Sequence, residues 1–229
     1  MTINTDKSAS VTDAINTRIT TRAFLDKPVP KDVLENIFET ARRTASGGNL
    51  QPWNAHVLTG EPLDTFRNDI MGKMMKQAFE QDTHKAYPSP LWEPMRSWRY
   101  KLGEDMYALL GIPKDDKSAR LMQVAKNFAF FGAPVGILIV GDKRLGMPQH
   151  LDIGIYVQSL MLLAREHGLH TAPQGAWRAW PDTIREFTGH SEDQEILVGM
   201  SMGYADPDQP VNDLVSDRAA LEELVTFYD

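Results

Sequence analysis

The sequence predicts an α+β fold in which a sheet is covered by helices, on three observations. Residues 31–44 carry Val33, Leu34, Ile37, Phe38 and Ala41 on one helical face. The runs 135–140 and 196–204 are almost continuously apolar, as strands at the centre of a sheet are. Residues 151–166 are apolar on most sides, which predicts a buried helix.

The chain has 229 residues, 42% hydrophobic and 24% charged, an ordinary globular balance able to bury a sizeable core. No internal repeat, low-complexity stretch or linker divides it, so one domain over 1–229 is expected. The net charge of −7 disfavours nucleic acid or an anionic membrane as partner. The absence of cysteine excludes disulfides, thiolate catalysis and cysteine metal sites. The first ten residues are polar, without a secretory h-region, and the longest apolar runs are too short to span a bilayer. A cytoplasmic protein is expected.

In order, Ser10 caps a short helix containing Val11 and Ile15. Arg18-Ile19-Thr20-Thr21-Arg22 follows. If this segment is extended, Arg18, Thr20 and Arg22 point the same way, a set suited to a phosphate; the alternative is a solvated charged turn. After the 31–44 helix, Ala45-Ser46-Gly47-Gly48-Asn49-Leu50-Gln51-Pro52-Trp53 stops the helix and lets a flat ligand approach the backbone, or serves only as a cap and turn. A strand is expected over 53–58. Residues 61–120 hold two or three helices and are rich in Met and aromatic residues, among them Trp92, Trp98 and Tyr100. These are either core-facing or an aromatic lid over a flat substrate. A helix over 121–131 leads through Gly132-Ala133-Pro134 to the first apolar strand. Pro173 and Gly175 mark 171–177 as a loop, and a short helix follows over 181–187. Residues 206–212 form an extended arm, followed by a helical turn over 221–224 and a strand-like 225–228.

Other signals fail. Gly199-Met200-Ser201-Met202-Gly203 matches a nucleophile elbow, but no helix follows directly and no His lies downstream. His167 and His170 have metal-like spacing, yet Gly168 breaks the helix that would align them, so no metal is expected. No Rossmann or P-loop pattern is present.

In register, these segments resemble the nitroreductase family of FMN enzymes. Arg18–Phe24 is similar to its phosphate motif and 45–53 to its main signature. Gly132-Ala133-Pro134-Val135, Pro173-Gln174-Gly175, Gly203-Tyr204-Ala205-Asp206-Pro207 and Ser216-Asp217-Arg218 are similar to its later blocks. The resemblance implies a sandwich with a mostly antiparallel sheet flanked by helices. It also implies a homodimer with FMN at the interface, the arm 206–229 exchanged between subunits, and 61–120 as a variable lid. Arg18, Thr20 and Arg218 would hold the FMN phosphate, with Ile19 where many relatives carry a second Arg. Arg22 would reach the pyrimidine side of the ring. Ser46, Gly47, Gly48, Asn49 and Gln51 would approach from the other subunit, with Ala45 where many relatives carry Pro. Pro173, Gln174 and Gly175 would lie against the ring, and Gln123, Lys126 and Asn127 are further candidates. No catalytic dyad is expected, because FMN carries the chemistry. The implied reaction is ping-pong: NAD(P)H is the donor and a nitroaromatic or quinone the acceptor, with Trp92, Trp98 and Tyr100 contacting substrate. Reductive dehalogenation, flavin fragmentation and non-catalytic flavin binding are the alternatives.

Overall fold

The computed structural model describes residues 2–76, 80 and 87–228. Ser10 starts α1 (Val11–Thr17), its hydroxyl accepting from the Asp13 amide at 3.1 Å. Helix α2 (Lys31–Ala41) stops short of residue 44. The amides of Arg43 and Thr44 bond to the carbonyls of Thr40 and Ala41, the tighter spacing that ends a helix. Then come β1 (Asn54–Thr59), α3 (Gly60–Met75) and α4 (Met95–Leu109).

The helix expected over 121–131 is two elements. Asp116 caps α5 (Lys117–Ala125), and a 3-10 segment, Lys126–Gly132, follows. Within it Phe130 and Phe131 are left-handed, with φ of 50° and 53°. Burial of Phe128, Phe130 and Phe131 in the core overrides the local helical preference. The chain continues through β2 (Val135–Asp142), α6 (Met147–Glu166), β3 (His170–Gln174), α7 (Pro181–Thr188), β4 (Gln194–Gly203) and α8 (Leu221–Leu224).

The four strands form one antiparallel sheet in the order β1-β2-β4-β3. Along β2 the side chains alternate between two cores. Val135, Ile137 and Ile139 pack with Leu34, Ile37, Tyr156 and Leu160 from α2 and α6. Leu138 and Val140 pack with Leu63, Phe66, Ile70, Trp177, Trp180 and Ile184 on the other face. Helices on both faces explain why this strand is apolar at every position.

Three expectations need correction. Residues 170–174 form β3, not a loop: Thr171 pairs with Met202 and Gln174 with Gly199. Pro173 is tolerated because β3 is an edge strand, where one missing donor breaks no ladder bond. Helix α6 buries Tyr156, Leu160 and Ala164, yet Met147, Leu151 and Ile155 stay exposed, a stripe that no part of the chain covers among the described residues. The C-terminal stretch is not free from residue 206. Residues 207–210 are exposed, Val211, Asn212 and Leu214 are buried, and no described residue after Leu214 is buried.

The N-terminal segment is held by a buried pair on α6 and β3. The Arg165 guanidinium donates to the carbonyls of Asp6 (2.6 Å), Asn4 (3.2 Å) and Leu169 (3.2 Å). It lies 3.3 Å from His170 Nδ1, while His170 Nε2 lies 3.0 Å from the Asn4 carbonyl. A guanidinium only donates and a carbonyl only accepts, so His170 is neutral with its proton on Nε2. Burial, and then the Arg165 charge, push its pKa down to about 3 from the usual 6.5. The unfolded chain therefore binds the extra proton first, and stability is lost as pH falls from about 6.5 towards about 3. At pH 5 this amounts to about 2 kcal/mol. In urea titrations the parent should lose about that much more stability than His170→Gln between pH 7 and pH 5. Equal losses would remove His170 as the sensitive group.

Candidate functional site

Helix α1 ends at Thr17 and the chain leaves it extended, with Arg18 at φ −68° and ψ 120°. Two contacts fix the next residues against the sheet. Thr20 bridges to Thr171 at the start of β3, the Thr21 amide donating to the Thr171 carbonyl at 3.0 Å. Asn212 accepts from the Arg22 amide at 2.9 Å and donates to the carbonyls of Ala23 and Asp206, both at 2.8 Å. One side chain thus ties the 18–24 segment to the C-terminal stretch.

These contacts open a cavity of about 660 Å³ lined by Arg18, Ile19, Thr20, Arg22, Ser216 and Arg218, with Asn16, Gln158 and Leu214. Arg18 and Arg218 are close enough to repel each other, and burial followed by that repulsion lowers the Arg18 pKa. Burial also lowers Arg22, partly offset by the nearby Tyr87 phenol. Arg22 donates to the Thr20 carbonyl (3.2 Å), and Arg218 to Ser216 Oγ (2.6 Å) and to the carbonyls of Ser216 (3.0 Å) and Asp217 (2.8 Å). Among the described residues none of the three is paired with a carboxylate. Asp217, beside Arg218 in the chain, is instead 2.9 Å from Lys101 Nζ. Two guanidiniums that share a cavity without a counter-charge make a site for an anion, and Thr20 adds a hydroxyl to the donor set.

The sequence signature at 46–51 lies elsewhere in the chain. Gly47 donates to both carboxylate oxygens of Asp152 at 3.2 Å, and the Gln51 amide to Ser46 Oγ at 3.0 Å. Gly48, Asn49 and Gln51 have positive φ, with Leu50 between them right-handed, a clustering of left-handed backbone of the kind found at functional turns. None of Ser46, Gly47, Gly48, Asn49 or Gln51 lines the arginine cavity. Asp152 is six residues before Gln158, about 9 Å along α6.

Pro173 and Gln174 end β3, and Gly175 opens a 3-10 turn; none of them lines the arginine cavity either. The Gln174 side chain is turned inward. Its Nε2 donates to the Asn127 carbonyl at 2.7 Å, and its Oε1 accepts from Ser201 Oγ (2.8 Å) and Trp177 Nε1 (3.3 Å). Residue 174 can therefore offer a ligand only its backbone. Ser201, the serine of the elbow-like pattern, is fully buried in β4 as part of this network. Gln123 is buried, and its amide nitrogen has no partner among the described residues. Asn127 spends its own amide on the Val124 carbonyl at 2.8 Å.

The three aromatic candidates are not core residues: Trp92 is 56%, Trp98 46% and Tyr100 60% exposed. Trp98 lines a second cavity of about 530 Å³, which shares Leu102, Ser216 and Arg218 with the first. Trp92 lines neither, and Tyr100 is occupied by Lys114, whose Nζ lies 2.9 Å from its hydroxyl. Sequence reasoning missed Asn16, Leu102, Gln158, Leu214 and Asn212. Each is an ordinary polar or apolar residue whose place depends on contacts distant in sequence.

Residues 15–204 match the model of the nitroreductase family. The chain is 35% identical over 226 residues to a chloronitrobenzene nitroreductase of Comamonas testosteroni, covering 96% of this chain and 97% of that one. It is 36% identical over 213 residues to a 4-nitrobenzoate reductase of Pseudomonas putida, covering 93% of each. A crystal structure of an FMN and NADPH-dependent nitroreductase, NfnB, from Sphigopyxis sp. strain HMH superposes with a TM-score of 0.90. The two are 38% identical, covering 96% of this chain and 99% of that one. A cavity lined by unneutralised arginines, built from the segments that carry the resemblance, agrees with these matches: the chain belongs to the nitroreductase family.

Proposed function

We propose that this chain is an FMN-dependent oxidoreductase that passes electrons from NAD(P)H to nitroaromatic or quinone-like acceptors by a ping-pong mechanism. The observation that carries the reading is the Arg18–Arg218 pair, two guanidiniums facing one cavity without a carboxylate. The relatives named for FMN, NADPH and nitroaromatic substrates supply the chemistry that fits it.

The donor set suits a phosphomonoester. Arg18, Arg218 and the Thr20 hydroxyl would hold the FMN phosphate, with Ile19 completing the wall. Arg22 would stand by the ring, where a fixed cation stabilises developing negative charge. Bound FMN supplies two-electron exchange between a reduced nicotinamide and an acceptor. Pro173, Gly175 and the backbone of Gln174 would border the ring, with Gln123 offering its unpartnered amide nitrogen. Acceptor choice would rest with the region 61–120, where Trp92 and Trp98 are exposed rather than packed in the core.

The reading takes 1–229 as one domain acting as a homodimer. The 46–51 turn lies outside the arginine cavity of its own chain, and Leu151 and Ile155 are exposed apolar residues on α6. A second copy would cover that stripe and bring Ser46, Gly47, Gly48, Asn49 and Gln51 to the flavin. The exposed end of the chain, with Leu224, Phe227 and Tyr228, would cross to the partner. Among the described residues no helix is long and apolar enough to cross a membrane. A cytoplasmic reaction, where NAD(P)H is supplied, would fit this reading.

Purified protein should show a flavin spectrum that NADPH bleaches anaerobically and a nitroaromatic restores. A colourless protein, or flavin untouched by NADPH and NADH alike, overturns the reading. Arg18→Ala should weaken FMN binding by about 1.5–3 kcal/mol while riboflavin binding changes much less; equal FMN affinity in a fluorescence titration would make Arg18 a bystander. Light scattering on the flavin-loaded protein should return twice the chain mass, and a monomer would remove the second copy from the site.

A further inference from the structure

We propose that the second cavity selects an aromatic molecule carrying a negative charge, and that Arg99, held over the Tyr87 ring, makes the selection. The inference rests on the oxidoreductase reading and names a substrate feature that the flavin site itself does not require.

The cavity is lined by Tyr87, Trp98, Arg99, Leu102, Ser216 and Arg218. At its rim Lys101 Nζ lies 2.6 Å from Asp105 and 2.9 Å from Asp217, one cation between two carboxylates, so that with Arg99 and Arg218 three cations face two anions and the lining stays net positive. Arg99 stands apart from that cluster. Its guanidinium carbon sits 4.6 Å from the centre of the Tyr87 ring, and among the described residues it has no ion pair. The cation–π contact leaves the N–H donors of Arg99 without a hydrogen bond among the described residues. The stack also fixes a long side chain in advance, so less conformational freedom is lost when a ligand binds.

Tyr87 links this cavity to the flavin site we propose, because its phenol is near enough to Arg22 to favour the charge there. Trp98 offers a second, half-exposed aromatic surface. A neutral flat acceptor needs only rings to stack on. A guanidinium without an ion pair next to those rings can also donate to a neutral nitro or carbonyl oxygen, but its bonds to a carboxylate or phosphate are the stronger, so it favours an anion. Two reactants supply that chemistry: an aromatic acceptor bearing a carboxylate, and the dinucleotide donor with its adenine and phosphates.

The test is steady-state kinetics of the flavin-loaded parent, Arg99→Gln and Arg99→Lys. Ping-pong kinetics let kcat/KM be read for each substrate separately. Acceptor selection predicts that Arg99→Gln lowers kcat/KM for 4-nitrobenzoate about tenfold or more and leaves nitrobenzene within about twofold. Donor selection predicts the same loss for NADPH or for both dinucleotides, with the two acceptors unchanged. In either case Arg99→Lys recovers part of the loss, and added salt erodes the advantage of the anion in the parent and in Arg99→Lys more than in Arg99→Gln. The inference is overturned if all four substrates stay within about twofold, or if nitrobenzene falls as far as 4-nitrobenzoate. A parent that oxidises neither dinucleotide would defeat the oxidoreductase reading instead. Charge selection is then read from quenching of tryptophan fluorescence by 4-nitrobenzoate against nitrobenzene in the parent and Arg99→Gln. Equal quenching of parent and variant defeats it.

Discussion

Arg18 and Arg218 face each other across a cavity with no carboxylate to separate them, and much of the surrounding structure keeps them there. A guanidinium does not discharge at any ordinary pH, so burial and repulsion raise the energy of the charged pair instead of neutralising it. In a chain of net charge −7, acids are plentiful, so their absence from this cavity follows from how the fold arranges them. Asp217 turns to Lys101. Asn212, which carries no charge, ties the Arg22 and Ala23 backbone to the C-terminal stretch. The Thr21–Thr171 hydrogen bond joins the same segment to the sheet. An anion in the cavity relieves an unfavourable term that the protein carries on its own.

The arginine segment was legible because its signal is local. Arg18, Thr20 and Arg22 alternate, and an extended chain sends alternate side chains the same way. The two central strands were legible because a strand covered on both faces is apolar at nearly every position, Ser201 of β4 being a buried exception. What failed to show was whatever depends on distance along the chain. Asn212 acts on a backbone 190 residues away, and nothing beside it marks it out. Residues 170–174 look like a loop because Pro173 and Gly175 are turn formers, but a sheet edge tolerates a proline that the middle would not. The apolar pattern of α6 was read as a buried helix, which holds for only part of its surface. Its own chain covers the faces with Tyr156 and Leu160 and leaves Leu151 and Ile155 bare.

The aromatic core shows how strain and packing are linked. Phe130 and Phe131 adopt left-handed backbone, which bulky residues rarely do. Phe130 stacks on Trp177 with ring centres 4.3 Å apart, and Trp177 in turn donates to Gln174. The turn that feeds the central strand β2 is thus held by the same cluster that anchors the end of β3. Gly199 belongs to this arrangement as well, because a side chain there would collide with the Trp177 ring. The proposed flavin border at 173–175 is consequently backed by a rigid layer rather than by a free loop.

The two edges of the sheet are unlike. The outer side of β3 is occupied at Thr171 by the Thr20 bridge and lacks a donor at Pro173. Among the described residues β1 pairs only with β2, so its outer backbone groups remain open. The sheet can therefore be extended in one direction only. A strand from another molecule can add at β1, but no second strand can follow through β3 of the same chain. Association by strand pairing between two such edges closes on itself at two chains, because neither retains another edge from which a fibre could grow.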